Sequence, residues 1–271
     1  AAPAQSATVS QAPVRVRLSA QPFLWLSLLL LLLTLGSLLV GRYPTPGILS
    51  PATLAEDMMA RQLVLNLRLP RVLTAVLLGM TLAASGTVLQ MIFRNPLVEP
   101  GFLGVSQGAA FGAALSIIGL AAPALIREAM AATFACLGLA LSYLLARRTR
   151  YGGWILRLVL SGIAVSALFS AGVGILKYMA DPLTELPDLV FWMLGGLWGV
   201  TWTDLVYLLP PVLVGLLIIY LMRWRLNLLA LDDDTGFSLG AAPGRERVLV
   251  LVAAVVATAA VVSVAGIVGW I

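Results

Sequence analysis

Arg68-Leu69-Pro70-Arg71 stands directly before Val72–Phe93, a run of 22 residues without a charge, and Arg94-Asn95-Pro96-Leu97-Val98-Glu99-Pro100-Gly101 follows it. As a helix such a run covers about 33 Å at about 1.5 Å per residue, enough for a hydrocarbon core of about 30 Å. Proline bars a continuing helix and glycine permits positive φ, so the stretch after Phe93 predicts a turn. A basic end, a membrane-facing middle and a punctuated turn together predict a transmembrane helix with both of its ends marked.

The same pattern recurs outward along the chain. Of the 271 residues, 61% are hydrophobic and 11% charged, against about 25% charged in a soluble domain. Apolar blocks at about 22–41, 72–93, 102–120, 129–146, 158–176, 205–222 and 248–270 predict seven crossings. The fold class expected is an all-α integral membrane protein, a polytopic helical bundle over residues 21–271 preceded by a disordered cytoplasmic tail over 1–20. The first block is too long for a signal peptide and is read as a retained helix. Leu189–Val200, interrupted by Gly195, Gly196 and Gly199, is too short to cross and is expected to lie at an interface or re-enter. The last block is still apolar at Val268-Gly269-Trp270-Ile271, so a C-terminally truncated chain is expected.

Charge sets the orientation. Seventeen basic residues stand against 12 acids, almost all of them at the ends of apolar blocks, where they set topology and touch lipid headgroups rather than nucleic acid. With the N-terminus inside, 11 arginines fall in the cytoplasm, including Arg147, Arg148 and Arg150. Six basic residues fall outside: Arg42, Arg61, Arg68, Arg71, Arg127 and Lys177. The basic cluster before the second crossing runs against the usual bias and requires a reason.

Several function classes are disfavoured. There is no histidine, and Cys136 is the one cysteine, which leaves no metal site, cofactor or disulfide to expect. No GxxxxGK[ST] phosphate loop is present, so nucleotide chemistry is expected in a partner. An ion-coupled carrier would need an acid or base at depth; its candidates are Glu99, Glu128 and Asp204. A non-transporting scaffold is the third class.

Two further features stand out. Gly104, Gly108 and Gly112, flanked by Ala109, Ala110 and Ala113, form one small-residue helix face suited to close packing. The loop at about 226–246 carries Leu231, Asp232, Asp233, Asp234, Thr235, Gly236, Phe237, Ser238, Leu239 and Gly240. The acid triplet and the glycine stop predict a short capped helix, either a solvated surface element or one seated in a groove of a cytosolic motor.

With these pieces placed, the chain resembles the FecCD-type permeases, membrane subunits of importers for ferric siderophores, heme and vitamin B12. The matching stretches are Arg68–Arg71, Gly79–Gln90, Arg94–Gly108, Leu158–Gly162, Trp192–Gly196 and Leu229–Gly240, in family order. The resemblance implies a type II ABC importer in the bacterial inner membrane. It would contain two copies of this permease, a cytosolic ABC ATPase and a periplasmic substrate-binding protein, and the permease itself would not be an enzyme. Arg68 and Arg71 would dock the binding protein, and Leu231–Gly240 would be the coupling helix. Oxyanions such as molybdate are carried by some relatives. Two departures stand: Asp232-Asp233-Asp234 and Gly236 replace the family's Gly-Glu-Glu and Ala, and the family has ten crossings.

Overall fold

The computed structural model describes residues 21–43 and 46–268. The expected tail over 1–20, with Arg15 and Arg17, and the last three residues lie outside the described residues. In chain order the elements are α1 (Gln21–Leu39), β1 (Val40–Gly41), β2 (Gly47–Ile48), α2 (Pro51–Glu56), α3 (Met58–Leu63) and α4 (Leu69–Phe93). Then come α5 (Val105–Ala114), α6 (Ala124–Arg148), α7 (Trp154–Met179), α8 (Glu185–Leu194), α9 (Trp202–Leu221), α10 (Arg223–Leu229), α11 (Asp233–Ser238) and α12 (Pro243–Ala265). The strands make one two-residue antiparallel pair, Val40 with Ile48 and Gly41 with Gly47.

Among the described residues six helices are long and apolar enough to cross a membrane, against seven expected. The difference lies in the third. Its helix, α5 with the π-helical turn Leu115–Gly119, has 15 residues because Gly104, at φ +81°, spends the start of the apolar block on a turn. Gly104, Gly108 and Gly112 face Gly138, Phe134 and Met130 of α6, so the two helices run antiparallel. A side chain at Gly108 or Gly112 would strike an α6 carbonyl, which is why α5 is held at backbone-to-backbone distance. Ser142 Oγ donates to the Leu103 carbonyl at 3.0 Å, and the loop from Arg94 thereby supplies the length that the helix lacks. Phe111, Phe134 and Phe169 pack α5, α6 and α7 around one aromatic cluster, with ring centroids 5.3–6.3 Å apart.

The second crossing is longer than the sequence predicts. Helix continues back through Arg68 to Met58, 36 residues in all, or about 54 Å. Proline inside a helix lacks an N–H and its ring crowds the carbonyl four residues back. The π turn Val64–Arg68, in which the Leu69 N–H reaches the Val64 carbonyl, opens the spiral just where Pro70 needs room. The basic tetrad is therefore no helix end but a point in the middle of one. At its start, Asp57 Oδ1 accepts the Met59 N–H at 2.9 Å and caps α3.

The core centres on α12. In its most apolar 18 residues 72% are buried, against 33% at most for any other crossing. Its alanines, valines, Thr258 and Ser263 are small on every side, so α4, α5, α6 and α9 all approach it. Ser85 of α4 donates to the Ala254 carbonyl at 3.1 Å, and Gly215 of α9 sits against Ala253 and Ala257. By contrast α1 buries none of its residues. The segment from Leu189 does not cross: α8 ends at Gly195, whose φ of +69° turns the chain onto the end of α12, where the Gly196 N–H donates to the Ala265 carbonyl at 2.7 Å.

Candidate functional site

The contacts sort the charges into two ends. At one lie the C-terminus of α4, α10, α11 and the start of α12, with Arg94, Arg147, Arg148, Arg225, Arg245 and Arg247. At the other lie the end of α1, the Arg68–Arg71 stretch, the loop at Trp198 and the end of α12.

At the first end, the segment Leu231–Gly240 folds into the six-residue helix α11. The sequence predicts that its acids cap it; the structure corrects this. Asp232 stands at the N-cap with no side-chain bond to the helix, because its carboxylate is engaged elsewhere. Arg94 Nη1 donates to Asp232 Oδ1 at 2.8 Å, and Arg94 Nη2 donates to the Leu231 carbonyl. Arg247 Nη2 donates to Asp233 Oδ1 at 2.6 Å and to the Leu229 carbonyl at 3.2 Å. Arg94 reaches Asp232 from the left-handed region, φ 51°, where it also ends α4. The Arg247 side chain is only 5% exposed, and its guanidinium lies 5.6 Å from the Trp154 ring of α7. Arg225 pairs with Glu246, a second bond onto the start of α12.

The helix is thus fastened to α4 and α12 from beneath, and its outer face is left open. Asp234, Thr235, Phe237, Ser238 and Leu239 are exposed, Phe237 by 74%. Gly236 is buried, where a Cβ would come 3.3 Å from the Leu228 carbonyl. Gly240 turns the chain away at φ +82°, its N–H on the Phe237 carbonyl at 3.0 Å. Arg94 and Arg247 went unpredicted as partners of this helix. Nothing in spacing joins residue 94 to residue 232.

At the second end, Arg68 Nη1 donates to the Leu38 carbonyl at 2.9 Å, satisfying the last turn of α1. Arg71 donates to the Trp198 carbonyl, and Trp202 Nε1 to the Leu65 carbonyl at 3.0 Å. Both arginines are half-buried; the Arg68 guanidinium packs against Gly41, and Arg71 Nε is buried without a partner. Beside them the Tyr43 hydroxyl donates to Asp57 at 2.8 Å. That bond, joined by the Met59 and Ala60 N–H groups, holds the Asp57 carboxyl below its ordinary value and raises the tyrosine.

Glu128 and Asp204, two of the groups an ion-coupled carrier would need, share a cleft of about 250 Å³ at this second end with Asp188 and Arg127. Glu99 is exposed in the loop after Arg94, at the opposite end. The three are not brought together.

The profile of the FecCD transport family matches residues 28–271. The chain is 41% identical over 211 residues to a probable iron chelatin transport system permease protein of Helicobacter pylori, covering 77% of this chain and 62% of that protein. It is 37% identical over 254 residues to the molybdate import system permease protein MolB of Haemophilus influenzae, covering 91% of this chain and 74% of that one. A solved structure described as an inward-facing conformation of a metal-chelate type ABC transporter superposes with a TM-score of 0.84 at 36% identity, over 93% of this chain and 78% of its own.

Proposed function

This chain belongs to the FecCD transport family, and from that premise we propose that it is the permease subunit of an ATP-driven importer. Its N-terminus faces the cytoplasm, and its cargo is an iron chelate, a ferric siderophore or heme, or vitamin B12. The observation that carries this reading is the fastening of α11 by Arg94 and Arg247 to two long helices. A cytosolic ATPase seats the exposed face of α11, with Phe237 as its apolar contact. When nucleotide binding closes the motors, the displacement passes through the two arginines into α4 and α12. The cargo contributes only through its different affinity for the inward- and outward-open states.

The opposite end receives a substrate-binding protein, with the half-buried guanidiniums of Arg68 and Arg71 pairing carboxylates on its surface. A second copy of the chain completes the path. The open side of α7, with Ile163, Ala164, Ala167, Ala171 and Gly174, suits close approach across a two-fold axis. That face carries no charge, so a bulky chelate slides along it. Without histidine, and with Cys136 alone, the chain is a poor host for a bare transition ion, and the cargo brings its own ligands. The likeness to a molybdate permease makes an oxyanion the second reading.

The test is co-reconstitution with the cognate ATPase and binding protein, scanning ferric chelates, heme, cobalamin and molybdate. One class should stimulate ATP turnover and uptake only when all three components are present. Accumulation of any of them by vesicles holding this chain alone would overturn the proposal. Charge reversal, Arg68→Glu with Arg71→Glu, should lower binding-protein affinity at least tenfold; unchanged affinity would remove the docking assignment.

A further inference from the structure

Between α6 and α12 runs a cleft of about 260 Å³, open to the side of the bundle, walled by Cys136, Leu139, Ala140, Val252, Val255 and Val256. Its walls are almost wholly apolar, so water inside it would find no partners. It extends along α6 from Tyr143 to Cys136, about 10 Å at the helix rise, and its end at Tyr143 and Val248 is the one towards α11.

At that end the chemistry reverses. Arg147 lies four residues beyond Tyr143 on the same face of α6, its guanidinium 5.8 Å from the tyrosine ring. Arg245 lies three residues before Val248, on the cleft's face of α12. Each helix therefore sets one exposed arginine a turn above the slot. Neither meets a carboxylate among the described residues, where the ion pairs are those of Arg94, Arg225 and Arg247. Arg148 and Arg150 add exposed positive charge beside them. A hydrocarbon slot ending at a tyrosine and two unpaired guanidiniums matches a molecule with an apolar tail and an anionic head.

We propose that this cleft binds one acyl chain of an anionic phospholipid, with its phosphate held between Arg147 and Arg245. The lipid fills the seam between the central helix and α6 and holds them at a fixed spacing. This requires only that the chain spans a bilayer; it does not depend on the importer reading.

The test uses the full chain in nanodiscs of mixed phosphatidylglycerol and phosphatidylcholine with identical acyl chains, with native mass spectrometry of the lipid that stays bound. One phosphatidylglycerol per copy should be retained in preference to phosphatidylcholine. Arg147→Gln and Arg245→Gln should each reduce retention about fivefold, the worth of one arginine near an anionic surface. Ala140→Leu and Val252→Phe, at the open lip of the slot, should abolish retention with both arginines intact. Arg223→Gln, whose guanidinium stacks on Tyr220 away from the cleft, should change nothing. Retention unaffected by the filling variants, equal retention of the two lipids, or an equal loss with Arg223→Gln would each overturn the proposal.

Discussion

Arg94 and Arg247 at one end of the bundle meet carboxylates, whereas Arg68 and Arg71 at the other meet backbone carbonyls. The carbonyls belong to the end of α1 and to the loop at Trp198, parts of the same scaffold as the arginines. The carboxylates belong to a six-residue helix that no apolar crossing contains. A bond to a carbonyl of the scaffold is a brace; a bond to a short separate element is a joint. Arginines that look equivalent in sequence therefore hold different partners.

The sharpest way to break this comparison is Arg247→Met. It leaves Asp233 and the Leu229 carbonyl without their buried donor, and should cost about 2 kcal/mol in thermal unfolding. Import should fall at least tenfold while the ATPase continues to turn over. Equal loss of import and of ATP turnover would mean that the arginine holds the fold rather than the joint.

Next in size is Arg68→Ala, which removes a brace worth about 1 kcal/mol. Proteolysis near residues 40–50 should speed up, with the ratio of uptake to ATP turnover unchanged once the binding protein is saturating. A drop in that ratio would erase the distinction between the two ends.

Arg94→Ala should cost less stability, under about 1 kcal/mol, because its pair with Asp232 is open to water, with side-chain exposures of 37% and 82%. Its effect on coupling should nevertheless exceed that of Arg68→Ala. Arg94→Asp combined with Asp232→Arg should recover part of the lost uptake, which a purely structural role would not predict.

The smallest effect concerns pH at the braced end. The folded state lowers the Asp57 pKa, so its contribution is present above the unfolded value and is lost as pH falls through the folded one. Amide exchange at Met59 and Ala60 should accelerate below the ordinary carboxylate range. Tyr43→Phe should bring that acceleration to higher pH; an unchanged profile would show that the helix cap alone holds the carboxylate.

Much of the fold was legible because the length of an apolar run is a local property. Blocks 72–93, 129–146, 158–176, 205–222 and 248–270 each fall within or overlap a long helix. The third block misled because composition does not register that Gly104 is spent on a turn. The tetrad misled because a basic cluster beside an apolar run reads as the end of its helix, and a π turn lets Pro70 sit inside a longer one. At the candidate site, the short helix at 233–238 was legible from Asp232 and Gly240, yet its acids were assigned to capping when Arg94, far back in the chain, had claimed Asp232 and Arg247 had claimed Asp233.

Hydropathy and charge order, read along the chain, were enough for a polytopic membrane bundle with basic ends and a short acidic helix in one loop. Both follow from the cost of placing charge or unpaired backbone in hydrocarbon, which each segment meets alone. The folded chain alone decided that α12 is the centre, that Arg94 and Arg247 rather than Arg68 and Arg71 hold the short helix, and that a slot opens beside Tyr143. These depend on which small side chains let which helices approach, and so on residues up to 169 positions apart, where no local preference reaches.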